Sequence, residues 1–349
     1  MKIPLKVEQW LYLFFVVTLP FATLPELAGY TGNVQIADVV LLVTGVVWFV
    51  LWVARKRSIV WSHAYIFLAA YALAVTLSAI FSIRPEQSAV KLVGKFYLFA
   101  IVFLTINIIT SLNDLKNLVR AWLVGSGLVI LLSLAGIAAF YLGVTDPGKN
   151  LVLHPIFGSL PPGSYPRIEG FFNYPSLLCN YLSITAAFLV LAASVTLFSY
   201  STEGTRLPIA RGEISRSHRA EAWRTAFQSF LKSPILGRGI DVPVADSRFI
   251  DPSGNSQLLT DAHNTYLSVL AETGLAGFVT FAALIGFLLI RIWSMMPSAR
   301  PVAIICFISI ADVFFYQGLT GSYEDTRHIW LLFGSIFALS GLLGSRWPE

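Results

Sequence analysis

The sequence predicts an all-α, polytopic integral membrane protein with about nine to ten transmembrane helices and one large extracytoplasmic loop domain. Three observations carry this. Of 349 residues, 56% are hydrophobic and only 12% charged, about half the charged share of an ordinary soluble domain. The mean hydropathy is +0.71. Nine windows of about 20 apolar residues, the length needed to cross a hydrocarbon core as helix, follow one another along the chain. A net charge of +5 is small and sits in loops, so it bears on topology and on contact with the lipid bilayer; nucleic acid is not implied.

Taken in order, Met1 to Gln9 is short, lacks a small-residue cleavage site and runs directly into apolar sequence, so it opens a first span near 9–28 and not a removable signal. Pro20 falls inside that window and predicts a kink. Spans follow near 36–54, 63–82, 92–110 and 119–142, completing an N-terminal bundle over 1–142. In the fifth, Gly125-Ser126-Gly127 and Gly136 supply small residues for close helix packing. Residues 143–175 form an external loop, 176–200 a single transmembrane helix (span 176–199), 201–262 a large loop domain, and 263–349 the C-terminal spans near 263–290, 301–320 and 328–345. Cys179 and Cys306 lie in apolar segments without metal or redox spacing and read as small buried hydrophobes.

Basic residues in short loops orient the chain. Arg55-Lys56-Arg57 and the Lys116, Arg120 pair put their loops in the cytoplasm, hence the N-terminus inside and 143–175 outside. Arg291 and Arg300 do the same for the loop after the seventh span, which puts His263 outside as well. These statements collide, because one span separates two loops that both read as external and 24 residues cannot cross twice. Either span-encoding sequence is absent here or one assignment is wrong.

The loop domain is rich in Gly, Pro, Ser and Asp but holds one helical piece, Ser217 to Lys232. There Ala222, Trp223, Ala226, Phe227 and Phe230 share a face edged by Arg219, Arg224 and Lys232, a basic amphipathic pattern suited to a membrane surface. Beyond it, at about 100° per residue, His263, Tyr266, Leu270, Gly274 and Gly277 fall on one stripe of a continuous helix running to Ile290. Such a helix would be about 42 Å long, so its histidine end protrudes from a core of about 30 Å. Glu272 would lie about 13 Å further along, inside the hydrocarbon, where a carboxylate is a functional candidate or half of a structural ion pair. A histidine at a helix start also reads as a plain interfacial or capping residue. Lys91 and Lys95, one turn apart, suit a lipid phosphate; Asp312 and Glu324-Asp325 are weaker candidates. His63, His154, His218 and His328 have no motif and read as interfacial or loop residues.

Three segments together resemble a known family. His263-Asn-Thr-Tyr-Leu267, with Gly274 and Gly277 following, resembles the signature of the O-antigen ligase and O-antigen polymerase superfamily. Arg167-Ile-Glu-Gly-Phe-Phe-Asn-Tyr-Pro175 is similar to that family's Arg-x-x-Gly-x-Phe-x-Asn-Pro segment, departing where Tyr174 precedes Pro175. Arg219-Ala-Glu-Ala-Trp223 resembles Arg-x-x-x-Trp, and Ser233-Pro-Ile-Leu-Gly-Arg-Gly-Ile240 resembles its Pro-x-x-Gly-x-Gly continuation. The likeness spans residues 160–290, and the chain looks like a short member. It implies a catalytic set of His263, Arg219 and Arg167, and a substrate-binding set of Arg224, Arg238, Tyr266, Glu272, Gly274 and Gly277.

The resemblance also implies the chemistry. Members pass a glycan from undecaprenyl pyrophosphate to a hydroxyl, so the enzyme must neutralise a departing pyrophosphate and take one proton from the acceptor. Arginine forks bind phosphate oxygens and stay charged; an imidazole suits the proton. With no cofactor and no metal implied, the reaction would be metal-independent and inverting, in the bacterial inner (cytoplasmic) membrane with the site on the periplasmic face. The acceptor would be lipid A-core oligosaccharide for a ligase or a second lipid-linked glycan for a polymerase; a pilin-type acceptor is a third. A polytopic transporter is the reading from another class, and it calls for internal repeats or paired broken helices.

Overall fold

The computed structural model describes residues 6–21, 35–144, 150, 152–153, 158–160, 163–165, 167–172, 175–190, 218–245, 247–250, 256–316 and 326–344. Every apolar window holds a helix. They are α1 Val7–Thr18, α2 Ile36–Val53, α3 Ala64–Ile80, α4 Pro85–Ile108, α5 Leu112–Tyr141 and α6 Pro175–Val190, then, after the loop-domain helix α7 His218–Lys232, α8 Thr265–Ser294, α9 Met296–Ala311 and α10 Arg327–Gly344. Six are long and apolar enough to cross a membrane (α2, α4, α5, α8, α10, and α9 with the turn that follows), while α1 and α3 are shorter apolar helices. The protein is thus an all-α polytopic membrane protein. Strand is confined, among the described residues, to two hairpins in the loops, β1 Gly158–Leu160 with β2 Gly163–Tyr165, and β3 Ser247–Ile250 with β4 Ser256–Leu259, both antiparallel.

The chain divides into two compact units, one formed by residues 1–60 and 104–201, the other by 61–103 and 202–349. In the first, α1 packs on α2 and α5. A Cβ at Gly125 would lie 2.7 Å from the Val17 carbonyl oxygen, so α5 and α1 meet backbone to backbone, as the small residues there predicted. Trp122 of α5 stacks on Tyr181 of α6 at 4.8 Å, and its indole N–H donates to Thr185 Oγ1 at 2.8 Å. One end of the unit is polar: Arg57 pairs with the buried Glu8, and Gln9 donates to Asp114 at 3.2 Å. The basic segments after α2 and at the start of α5, both read as cytoplasmic, share that end. Pro20 departs from expectation. It follows the end of α1 and does not kink it, because its ring crowds the Val16 carbonyl, which accepts from Leu19 N–H in a tightened last turn instead. Residues 22–34 lie outside the described residues.

In the second unit α10 is the axis. His328 to Ser340 are buried on every side, as in a helix apolar all round. Trp330 stacks on Tyr71 of α3 and meets Phe99 of α4 edge-on at 5.2 Å; Tyr71 also meets Phe281 of α8 at 5.2 Å. His328, read as interfacial, is in fact 4% exposed inside this core. A π-helical turn, Asp312–Tyr316, follows α9. The loop-domain helix packs on α8 through a cluster of Ala226, Val244, Ala262 and Ala271 with Phe230 and Leu267 against it.

Candidate active site at a broken helix

α8 is not the continuous helix that the stripe predicts. It starts at Thr265, two residues after the histidine, because the Asn264 side chain caps it, accepting from the backbone N–H groups of Tyr266 and Leu267 at 3.0 and 3.1 Å. It then breaks at Gly274, whose backbone (φ 64, ψ −165) is open to glycine alone. His263, Tyr266 and Gly277 therefore do not lie on one helical stripe, and the axial distances from His263 predicted for Glu272 and Ile290 do not apply. Gly274 and Gly277 stand in an apolar run, which the sequence reads as one continuous stripe.

A helix break frees carbonyls before it and N–H groups after it. The Pro234–Gly239 segment takes two of each. Arg238 N–H donates to the Ala271 carbonyl and Gly239 N–H to that of Glu272, both at 3.0 Å; in return Leu275 and Ala276 donate to the carbonyls of Pro234 and Ile235 at 2.9 and 3.1 Å. The two backbones touch. A Cβ at Gly237 would lie 2.2 Å from the Glu272 carbonyl oxygen, and one at Gly274 would lie 2.4 Å from the Ile235 carbonyl carbon. The Pro-x-x-Gly-x-Gly segment and Gly274 after the histidine, read separately in sequence, are the two halves of one crossing.

The α3–α4 turn seals it. Ser78 Oγ donates to the Glu272 carbonyl at 2.7 Å, Ile83 N–H to the Arg238 carbonyl at 3.1 Å, and Ser88 Oγ to that of Ile240 at 2.7 Å. Gly239 (φ 110) passes directly over Ser82. None of these serines, nor Asp241, stood out in the sequence. The only signal was small polar residues in and beside an apolar helix.

Each predicted residue has a definite place. His263 is half-buried with a left-handed backbone (φ 46), and Asp261 beside it accepts from Ser268 Oγ at 2.9 Å. Tyr266 donates its hydroxyl to the Phe314 carbonyl in the π-helical turn. The Glu272 carboxylate accepts from Asp241 N–H at 3.2 Å, and Asp241 (φ 63) pairs with Lys91 at 3.4 Å. Arg238 reaches Ser229 Oγ of α7 at 3.3 Å. Gly277 is buried against Thr273. Arg224 is exposed and pairs with Glu221 one turn away, at 2.7 Å. Arg219 lies in the first turn of α7; its side chain, Asn173-Tyr174, His154 and Glu324-Asp325 lie outside the described residues. Lys95 is buried at 2% exposure.

Arg167 belongs to the first unit. It is half-buried beside a β-bridge between Ile168 and Leu153, and Gly170 (φ 60) tucks against Val129, Ser133 and Leu178, the last in α6. Burial lifts the Glu169 carboxyl above its ordinary value, and the Arg167 charge offsets this only in part.

Fold and site define a polytopic helical membrane protein with a polar centre at a broken helix. A family model described as O-antigen ligase matches residues 94–282, more than half of the chain, and includes the Arg167, Arg219 and His263 segments. The chain belongs to the O-antigen ligase family. No curated protein matches it. Membership implies lipid-linked glycan substrates, a glycosyltransferase-like activity in the general sense, and a bacterial membrane setting.

Proposed function

We propose that the protein is an O-antigen ligase, transferring a glycan from undecaprenyl pyrophosphate to a hydroxyl of lipid A-core oligosaccharide at the periplasmic face of the inner membrane. The observation that carries the reading is the family match across the motifs, joined to a histidine held in a left-handed conformation just ahead of a capped half-helix. In the reaction the acceptor hydroxyl loses its proton to the imidazole of His263, its oxygen attacks the anomeric carbon, and the bond from that carbon to the pyrophosphate oxygen breaks with its electron pair leaving on phosphate. Arg219 and Arg167 bind the developing charge with planar forks. Arg224, Arg238, Tyr266 and Glu272 line the approach of donor and acceptor, with Gly274 and Gly277 setting the path of the backbone beside them. Attack from the face opposite the lipid inverts the anomeric centre. The α7 helix rests on the membrane surface through Trp223 and Phe227, both exposed.

The test is purified protein with lipid-linked glycan and a panel of acceptors. Transfer to lipid A-core supports the ligase; transfer only to a second lipid-linked glycan makes the protein a polymerase, and transfer to neither removes the enzymatic reading. His263→Ala and Arg219→Ala should each abolish transfer and leave the protein in the membrane. EDTA should leave the rate unchanged while Arg219→Lys or Arg167→Lys impairs it, since lysine keeps the charge and loses the fork.

A further inference from the structure

The crossing does more than close a gap in α8. It begins two residues after α7 ends, since Lys232 is the last helical residue and Pro234 the first to contribute a carbonyl. The same α7 is held at its middle, where Ala226 and Phe230 meet Ala271 and Leu267 of the first half of α8. A third tie is Arg238, whose backbone is bonded to α8 and to the α3–α4 turn while its side chain reaches Ser229 of α7. The loop domain is therefore fixed to the membrane helices by backbone and is not merely tethered at its ends. The half-helix that follows His263 and the helix that carries Arg219 are joined by backbone bonds and packing, and the closest of these contacts pass through two positions where no side chain fits.

We propose that Gly237 and Gly274 are positioning residues for glycan transfer, holding the Arg219 helix and the His263 half-helix in one fixed register through their backbone crossing. The inference rests on the proposed roles of Arg219 and His263. A displacement of about 1 Å between catalytic groups lowers a rate by about 100-fold, and an alanine at either glycine must part the two backbones by about that much to restore ordinary contact, given approaches of 2.2 and 2.4 Å. Substrate affinity, set by the groups and not by their register, changes less.

The experiment combines kinetics with amide hydrogen exchange on the full-length protein in nanodiscs. In the wild type the amides of Arg238, Gly239, Leu275 and Ala276 should be protected. Gly237→Ala and Gly274→Ala should lose that protection and about 100-fold in kcat, with KM changed by less than about threefold and the midpoint of the pH–rate profile unmoved. Gly286→Ala, where a Cβ meets nothing within 4 Å, should match the wild type. Should either glycine variant fail to reach the membrane, Ser78→Ala decides: it adds no bulk, removes the hydroxyl bonded to Glu272, and should lower kcat and raise exchange at Gly239 by about fivefold. Wild-type amides that exchange freely, a glycine variant with undiminished kcat, or a silent Ser78→Ala overturns the proposal. Activity retained by His263→Ala while the glycine variants lose theirs removes the base and leaves the crossing's role standing.

Discussion

His263 and Asp241 both take up the left-handed backbone that residues with a Cβ seldom adopt, at a cost of about 1–2 kcal/mol each. At Asp241 the conformation is held from three sides, by Glu272 on its N–H, Gln87 on its carbonyl at 2.7 Å and Lys91 on its carboxylate. The ion pair is half exposed and worth about 0–1 kcal/mol. Asp241→Gly, which keeps both backbone bonds and relieves the strain, should therefore change the melting temperature in detergent by only a few degrees; a collapse on heating would assign the carboxylate a larger role. Glu169 gives a sign that can be measured. Because burial raises its folded-state pKa, the folded protein holds that proton more tightly than the unfolded chain, so stability falls as pH rises from the ordinary carboxylate value through the raised one. Glu169→Gln should remove this part of the pH dependence and match or exceed the wild type at pH 7, as read by melting from pH 4 to 7.

At the level of elements, the helices were legible because lipid-spanning segments must be apolar and long, and both properties are written locally. The loop-domain helix was legible for a different reason, its 3.6-residue period, which predicts Ser217 to Lys232 against His218–Lys232 observed. Its face divides more finely than the pattern suggested. Ala222, Ala226 and Ser229 go inward, while Trp223, Phe227 and Leu231, spaced one turn apart, stay exposed. If that ridge rests on lipid, a single-tryptophan variant retaining Trp223 should show blue-shifted emission quenched by shallow lipid-borne quenchers, and Phe227→Asp should loosen α7 from the bilayer without unfolding it; emission typical of water at Trp223 would reject the placement. The break in α8 was not legible. Its cause, the backbone of residues 234–239, lies about 37 positions away from Gly274, and no local pattern records a partner that distant. The histidine motif and the glycine motif were both visible, but that they are one contact was not.

At the scale of the whole molecule, charge marks one end of the first unit. Glu8, Arg57, Gln9 and Asp114 gather where the basic loops of the first unit lie, which the positive-inside bias assigns to the cytoplasm. The conflict over the number of crossings falls on residues 191–217, outside the described residues. With Cys179 and Cys306 replaced, a cysteine at Ser247 should be labelled from outside intact cells and one at the exposed Ser58 only after permeabilisation. Labelling of both only after permeabilisation would put the loop domain in the cytoplasm and take Arg219 and His263 away from a periplasmic donor.

The buried α10 carries a consequence for manufacture. The ribosome makes α3 and α4 some 220 residues before the helix whose Trp330 packs against both Tyr71 and Phe99. Through most of synthesis the aromatic walls of the second unit thus have no centre to close on, and only lipid, or a companion at the insertion machinery, can occupy the vacancy. A chain truncated before Arg327 and released into the membrane should be readily cleaved by protease in its membrane helices, and one truncated after Gly344 should resist. The last helix described, and not the first, commits the second unit to its shape.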